Sequence, residues 1–133
     1  RLHVVCNGNS DDVRGRIYII NTDTDAIEQV FDIGGDPLDI AITSNGYAYL
    51  SAGGWVQGEP GYVFRYDAAT GEILNGPNDA IEVGMGAWNV IADTDTVYVS
   101  CQTTDEVYKI VGDEVVDTYL VGDQPAPLHI YRR

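Results

Sequence analysis

Cysteine, methionine and basic residues are scarce in this chain, and long apolar runs are missing altogether. The two cysteines, Cys6 and Cys101, are too few for a disulfide framework. Without a Cys-x-x-Cys or Cys-x-x-Cys-His they mark neither a zinc site nor a haem attachment, and they leave the redox compartment open. Seven Lys and Arg stand against 21 Asp and Glu, a formal net charge of −14. Such a surface repels phosphate, which excludes nucleic-acid binding and docking on anionic membranes. Three of the basic residues, Arg1, Arg132 and Arg133, sit at the ends, so the interior is more acidic still. No apolar run approaches the roughly eighteen residues of a membrane helix, which excludes membrane insertion by a helix. Neither a signal peptide nor a lipidation motif is visible. The chain opens at Arg1 rather than Met, as a processed form or a piece of a longer protein does. There is no Gly-x-Ser-x-Gly and no phosphate-cradling glycine loop. The two histidines, His3 and His129, have no nucleophile beside them in sequence.

What remains is ordinary for a globular domain: 133 residues, 44% apolar and 21% charged. Pro and Gly do not gather into a linker, so residues 1–133 read as one unit. The acidity fits solubility first, and attraction of cations or basic partners second.

The chain repeats itself. "GRIYIINTDTDAIEQVFDIGGDPLDIAITSNGYAYLSAGG" and "GYVFRYDAATGEILNGPNDAIEVGMGAWNVIADTDTVYVSCQ" share an order of parts. Each has a glycine, an alternating strand, a polar turn, a second strand ending near Ile33-Gly34 or Val83-Gly84, an apolar strand, and a Tyr-bearing strand. A third copy begins at "DEVYKIVG" and stops after Leu128–Tyr131, while the opening "RLHVVCN" matches the last strand of a copy. Gly15 and Gly61 lie 46 positions apart, and Gly61 and Asp105 lie 44 apart. Repeats of this length with four strands each predict β-propeller blades. Turn chemistry at Ser44-Asn45-Gly46, Thr70-Gly71, Asp93-Thr94-Asp95 and Gly112-Asp113 agrees with the strand boundaries, and no segment reads as a helix.

The first copy resembles the YVTN-type surface-layer propeller repeat, through "GRIYIINTDTD", "VFDIGGDP" and "AITSNGYAYL". The second departs from it, with "NGPNDA" inserted and Ala87-Trp88 where Gly-x-Pro usually stands; the third keeps "LVGDQPAP". The resemblance implies an all-β propeller unit of three four-stranded blade equivalents, near residues 1–34, 35–84 and 85–122. Residues 123–131 then supply the inner strand of a further or closing blade. Three blades are too few for a ring, so further blades from the same or another chain are the implied partners. The resemblance also implies an extracellular, cell-surface or periplasmic setting.

Individual motifs have plainer readings. Asn21, Asp23 and Asp25 have calcium-loop spacing, but Ala26 and Asp32 stand where Gly and Glu belong, and the stretch spans a hairpin. A side-chain-capped turn is the expectation there and at "ADTDTV". Cys6, Ala52 and Cys101 share one repeat position, as a tight buried site for a small side chain would require. "DPLDIAI", "GAWNVIA" and "APLHIYR" superpose Asp39, Asn89 and His129 on one position. In a propeller these three would start successive innermost strands and face a wet channel, where a charge stays solvated. Trp88 would stand beside them, and the Gly53–Pro60 loop would bring Trp55 and Glu59 to the same mouth, as Asn7–Arg14 would bring Asp11 and Asp12.

The expected function is therefore a non-catalytic binding or interaction module. A protein or a small polar ligand, cationic or polyhydroxylated, would be held at the channel mouth by Asp39, Asn89, His129, Trp88 and Trp55. The alternative is a metal-dependent propeller hydrolase of lactonase or esterase type. In it Asp39, Asn89 and His129 would hold a divalent cation. Polar channel lining with no ligand is the plainer reading of the same residues.

Overall fold

A computed structural model describes residues 1–9 and 11–132. Twelve strands follow one another: β1 (Leu2–Cys6), β2 (Arg16–Asn21), β3 (Ala26–Asp32), β4 (Pro37–Ile42), β5 (Tyr47–Ala52), β6 (Gly61–Asp67), β7 (Ile73–Asn75), β8 (Ile81–Val83), β9 (Ala87–Asp93), β10 (Thr96–Cys101), β11 (Glu106–Val111) and β12 (Glu114–Leu120). They form three separate antiparallel sheets: β1-β2-β3, β4-β5-β6-β7 with β8 also on β6, and β9-β10-β11-β12. No helix occurs among the described residues, and none is long and apolar enough to cross a membrane.

The middle sheet is buried on both faces. Ala48, Leu50, Ala52, Phe64 and Tyr66 pack with Ile17, Ile19 and Ile33 of the first sheet's segment. Tyr49 and Val63, with Ile81 and Val83, pack with Val90, Val97, Val99 and Ile110 of the third. Strand residues alternate faces, so β5 sends neighbouring side chains into two different cores. This explains why "YAYLSA" carries no polar stripe: a strand covered on both sides has no solvent face to mark. The outer sheets do have one, and β12 is exposed along its whole length.

The turns obey the chemistry written in them. Gly46 and Gly71 adopt φ of +85° and +78°, the left-handed region where a Cβ is costly. Asn21 Oδ1 accepts from the backbone N–H groups of Asp23 (2.8 Å) and Thr24 (3.2 Å), so the calcium-like spacing is a capped hairpin turn. The inserted "NGPNDA" splits what the repeat makes one strand into β7 and β8, both paired with β6.

The propeller expectation, and with it the YVTN resemblance, is corrected at the level of sheet arrangement. Among the described residues the three sheets are separate, with no closed, curled or radial arrangement and no central channel. The physical reason lies in what closure needs. The first sheet has only three strands, and Ala126–Tyr131, expected to be an inner strand, forms no strand. The small buried position shared by the repeats is also corrected in part. Ala52 and Cys101 are buried and burial pushes the Cys101 thiol up to about 12, but Cys6 is exposed. Cys6 is the last residue of β1, an edge strand of its sheet.

Candidate functional site

β4 and β9 run near each other without sharing a ladder, and Asp39 ties them together. Its Oδ1 accepts from the following N–H of Ile40 at 2.9 Å. Its Oδ2 accepts from the Asn89 side-chain amide and from the Val90 N–H, the latter at 2.9 Å. Asn89 Oδ1 in turn accepts from the N–H of Leu128 at 2.9 Å. The Asp39–Asn89 pair is therefore a polar clip joining the middle sheet, the third sheet and the segment after β12. A carboxylate among apolar neighbours is tolerable because three N–H donors satisfy it.

Of the three superposed positions, Asp39 and Asn89 meet in this clip, and His129 is not part of it. Its side chain lines an open groove of about 400 Å³ with Ile40–Ile42 and Val90–Ala92. The Asp39 and Asn89 oxygens are engaged by N–H donors from β4, β9 and Leu128. Among the described residues no group of three His, Cys, Asp or Glu side chains could hold a metal ion. With no channel there is no channel mouth, so the binding module placed there and the propeller hydrolase are both corrected.

The two tryptophans do come together. Trp55 and Trp88 meet edge to face, ring centroids 5.5 Å apart at 85°. Both stay well exposed, at 49% and 43%. The Trp55 loop is anchored at its base, where the Gly86 N–H donates to the Gly54 carbonyl at 2.9 Å. Behind Trp55 lies a cavity of about 370 Å³, walled by Trp55, Val56, Tyr62 and Phe64 and carrying two carboxylates, Asp36 and Glu59. Asp36 Oδ1 is buried with no hydrogen-bond partner. Asp36 and Phe64 were not singled out by sequence reasoning. The signal available was their repeat context: Asp36 follows the Gly34-Gly35 turn, and Phe64 is the aromatic of β6 beneath it. Asp11 and Asp12 do not line this cavity, and Asp12 is tied to Asn9 at 2.7 Å.

A second polar pair lies between the first two sheets. His3 Nδ1 and the Tyr66 hydroxyl are 2.7 Å apart, with the rings stacked at 5.9 Å. Burial, then the nearby positive charges, holds the His3 pKa below its ordinary value, and burial pushes that of Tyr66 up. The pair lies away from any cavity described above and is part of the packing.

No protein-family model matches the chain, and no curated protein matches it. Among solved structures it is similar to a crystal structure of a protein of unknown function from Bacteroides caccae, at 16% identity and a TM-score of 0.35. The match covers 92% of this chain and 59% of that one, so the chain spans about three-fifths of the length of its structural neighbour.

Proposed function

We propose that the chain is an interaction module that works by strand addition, its partner being an extended segment of another polypeptide. One observation carries this reading. β5 lies between β4 and β6, and β10 between β9 and β11, but β1, their equivalent in the repeat, ends its sheet, and no strand among the described residues pairs with its outer edge. Ala126–Tyr131 has the sequence of β4 and β9 and pairs with no strand among the described residues. An unpaired edge is a row of free N–H and C=O groups that templates another strand.

The register follows from the pairs already formed. Ile40 stands opposite Leu50 and Ala41 opposite Tyr49; Val90 stands opposite Val99 and Ile91 opposite Tyr98. By the same rule Ile130 of one copy comes opposite Val4 of another, and Tyr131 opposite His3. Mixing a Val4→Cys chain with an Ile130→Cys chain, both with Cys6→Ser, gives a covalent heterodimer on mild oxidation. Val116→Cys on exposed β12 replaces Val4→Cys as the control and gives none. Ile130→Pro, which removes an N–H, abolishes the cross-link. A chain that sediments as a monomer from ~1 to ~100 μM, the concentration range of weak specific association, and does not cross-link at this register overturns the reading.

A further inference from the structure

We infer that the cavity behind Trp55 is a binding site for a small organic ammonium ion with an apolar body. The inference concerns a different surface from the β1 edge and does not depend on strand addition. The walls are aromatic and aliphatic: Trp55, Val56, Tyr62 and Phe64. The charged groups are both acidic, Asp36 and Glu59, and among the described residues no Lys, Arg or His lines the space. Anions are therefore repelled locally as well as by the −14 charge of the whole chain.

Three features select an ammonium ion over other guests. Asp36 Oδ1 is buried without a donor, and a small turn of the carboxylate would offer an oxygen to a ligand N–H. A buried acceptor left unpaired is costly, so a ligand that supplies the donor gains more than one that cannot. Aromatic faces attract organic cations, tryptophan best of all, and more strongly in a site partly shielded from water. Bare metal ions find too little here: two carboxylates and aromatic rings are not a coordination shell. Sugars would meet a few directed groups here, Asp36, Glu59, the Tyr62 hydroxyl and the Trp55 indole N–H, but would leave the two negative charges uncompensated. The volume of about 370 Å³ lies at the low end for ligand pockets, which points to a small guest.

The wall is also built to stay open. Trp88 braces Trp55 edge-on, and Gly35 lies against Phe64, where a Cβ would come within 2.7 Å of the ring. The aromatic floor and the carboxylate thus come from one turn and one strand already fixed by the core.

Trp55 and Trp88 are the two tryptophans of the chain, so intrinsic fluorescence reads this site directly. The probes are 2-phenylethylammonium, its neutral isostere 2-phenylethanol, and 3-phenylpropionate. The expected result is a saturable change with the ammonium, at least ~10-fold tighter than with the alcohol, and none with the carboxylate. Asp36→Asn, checked for folding by its melting curve, weakens the ammonium at least ~10-fold and leaves the alcohol unchanged. If that variant fails to fold, Glu59→Gln takes its place with a smaller loss. Equal binding of ammonium and alcohol would reduce the site to an apolar hole and overturn the inference. So would a preference for the carboxylate, or no saturable response to the ammonium up to ~10 mM.

Discussion

At the scale of single residues, Asp39 shows how a side chain with catalytic potential becomes structural. Its two oxygens accept three N–H groups from β4 and β9. Removing the carboxylate strands the Asn89 amide and the Val90 N–H, each part-buried. Asp39→Ala is therefore expected to lower the unfolding free energy by about 2 kcal/mol. Asn89→Ala should cost a similar amount through the lost Leu128 contact, and the double variant less than their sum, because the two share one hydrogen bond. Urea denaturation of the four proteins measures this. A stabilised Asp39→Ala would instead mark a group kept for a ligand at the expense of the fold. Asn21 is the milder case of the same kind, an apparent calcium ligand that caps a turn. In both, the residue types could be read from the chain, but the identity of their donors could not.

At the scale of elements, the glycine that opens the repeat has a steric cause. Gly15 donates to the Gly35 carbonyl at 3.0 Å, and its own carbonyl accepts from Ile33 and Gly34. A Cβ on Gly15 would lie 2.2 Å from Pro37 Cδ and 2.6 Å from the Gly34 oxygen. A Cβ on Gly61 would meet the Gly84 oxygen at 2.3 Å, the same approach one repeat later. Strand and incoming loop touch backbone to backbone, and neither can retreat without losing hydrogen bonds. Gly15→Ala and Gly61→Ala should each destabilise by about 2 kcal/mol or more, while Gly122→Ala, with open space around it, should stay within about 0.5 kcal/mol. Melting curves of the three test this, and a neutral Gly15→Ala would refute the close packing. Asp105 replaces the glycine in the third copy, where the loop is held differently: its side chain accepts from the Gln124 N–H at 2.8 Å and its carbonyl from Val121.

At the scale of the whole molecule, charge is unbalanced and little of it is paired. The ion pairs among the described residues are Arg1–Glu28, Arg16–Asp32 and Arg132–Asp93, all largely exposed and worth little individually. Against them stands the mutual repulsion of a chain with 21 acidic residues. Screening should then help more than it harms. Raising KCl from ~10 to ~500 mM shortens the Debye length from about 30 Å to a few ångströms and should raise the melting temperature by several degrees. A fall in melting temperature with salt would show that attractive pairs outweigh the repulsion.

The sequence by itself determined where most strands and turns fall, though not that Ala126–Tyr131 would form no strand or that residues 73–83 would make two. Alternation, β-branched residues and turn residues act over a few positions, so Tyr47–Ala52, Gly46 and Gly71 were legible without a structure. The contact of Trp55, in the loop after β5, with Trp88 of β9 was expected at a channel mouth and occurs without one. Tertiary structure decided the rest. Whether three sheets close on one another depends on hydrogen-bond partners far apart in the chain, and β1 and Ala126–Tyr131 find none in common. That long-range vacancy leaves Cys6 exposed where Ala52 and Cys101 are buried. The approach of β4 to β9 makes Asp39 a clip, and the seating of Gly35 against Phe64 sets the Asp36 carboxylate, one oxygen of it buried without a partner, beside an aromatic wall. Periodicity records which face of a strand is apolar; only packing records what that face meets.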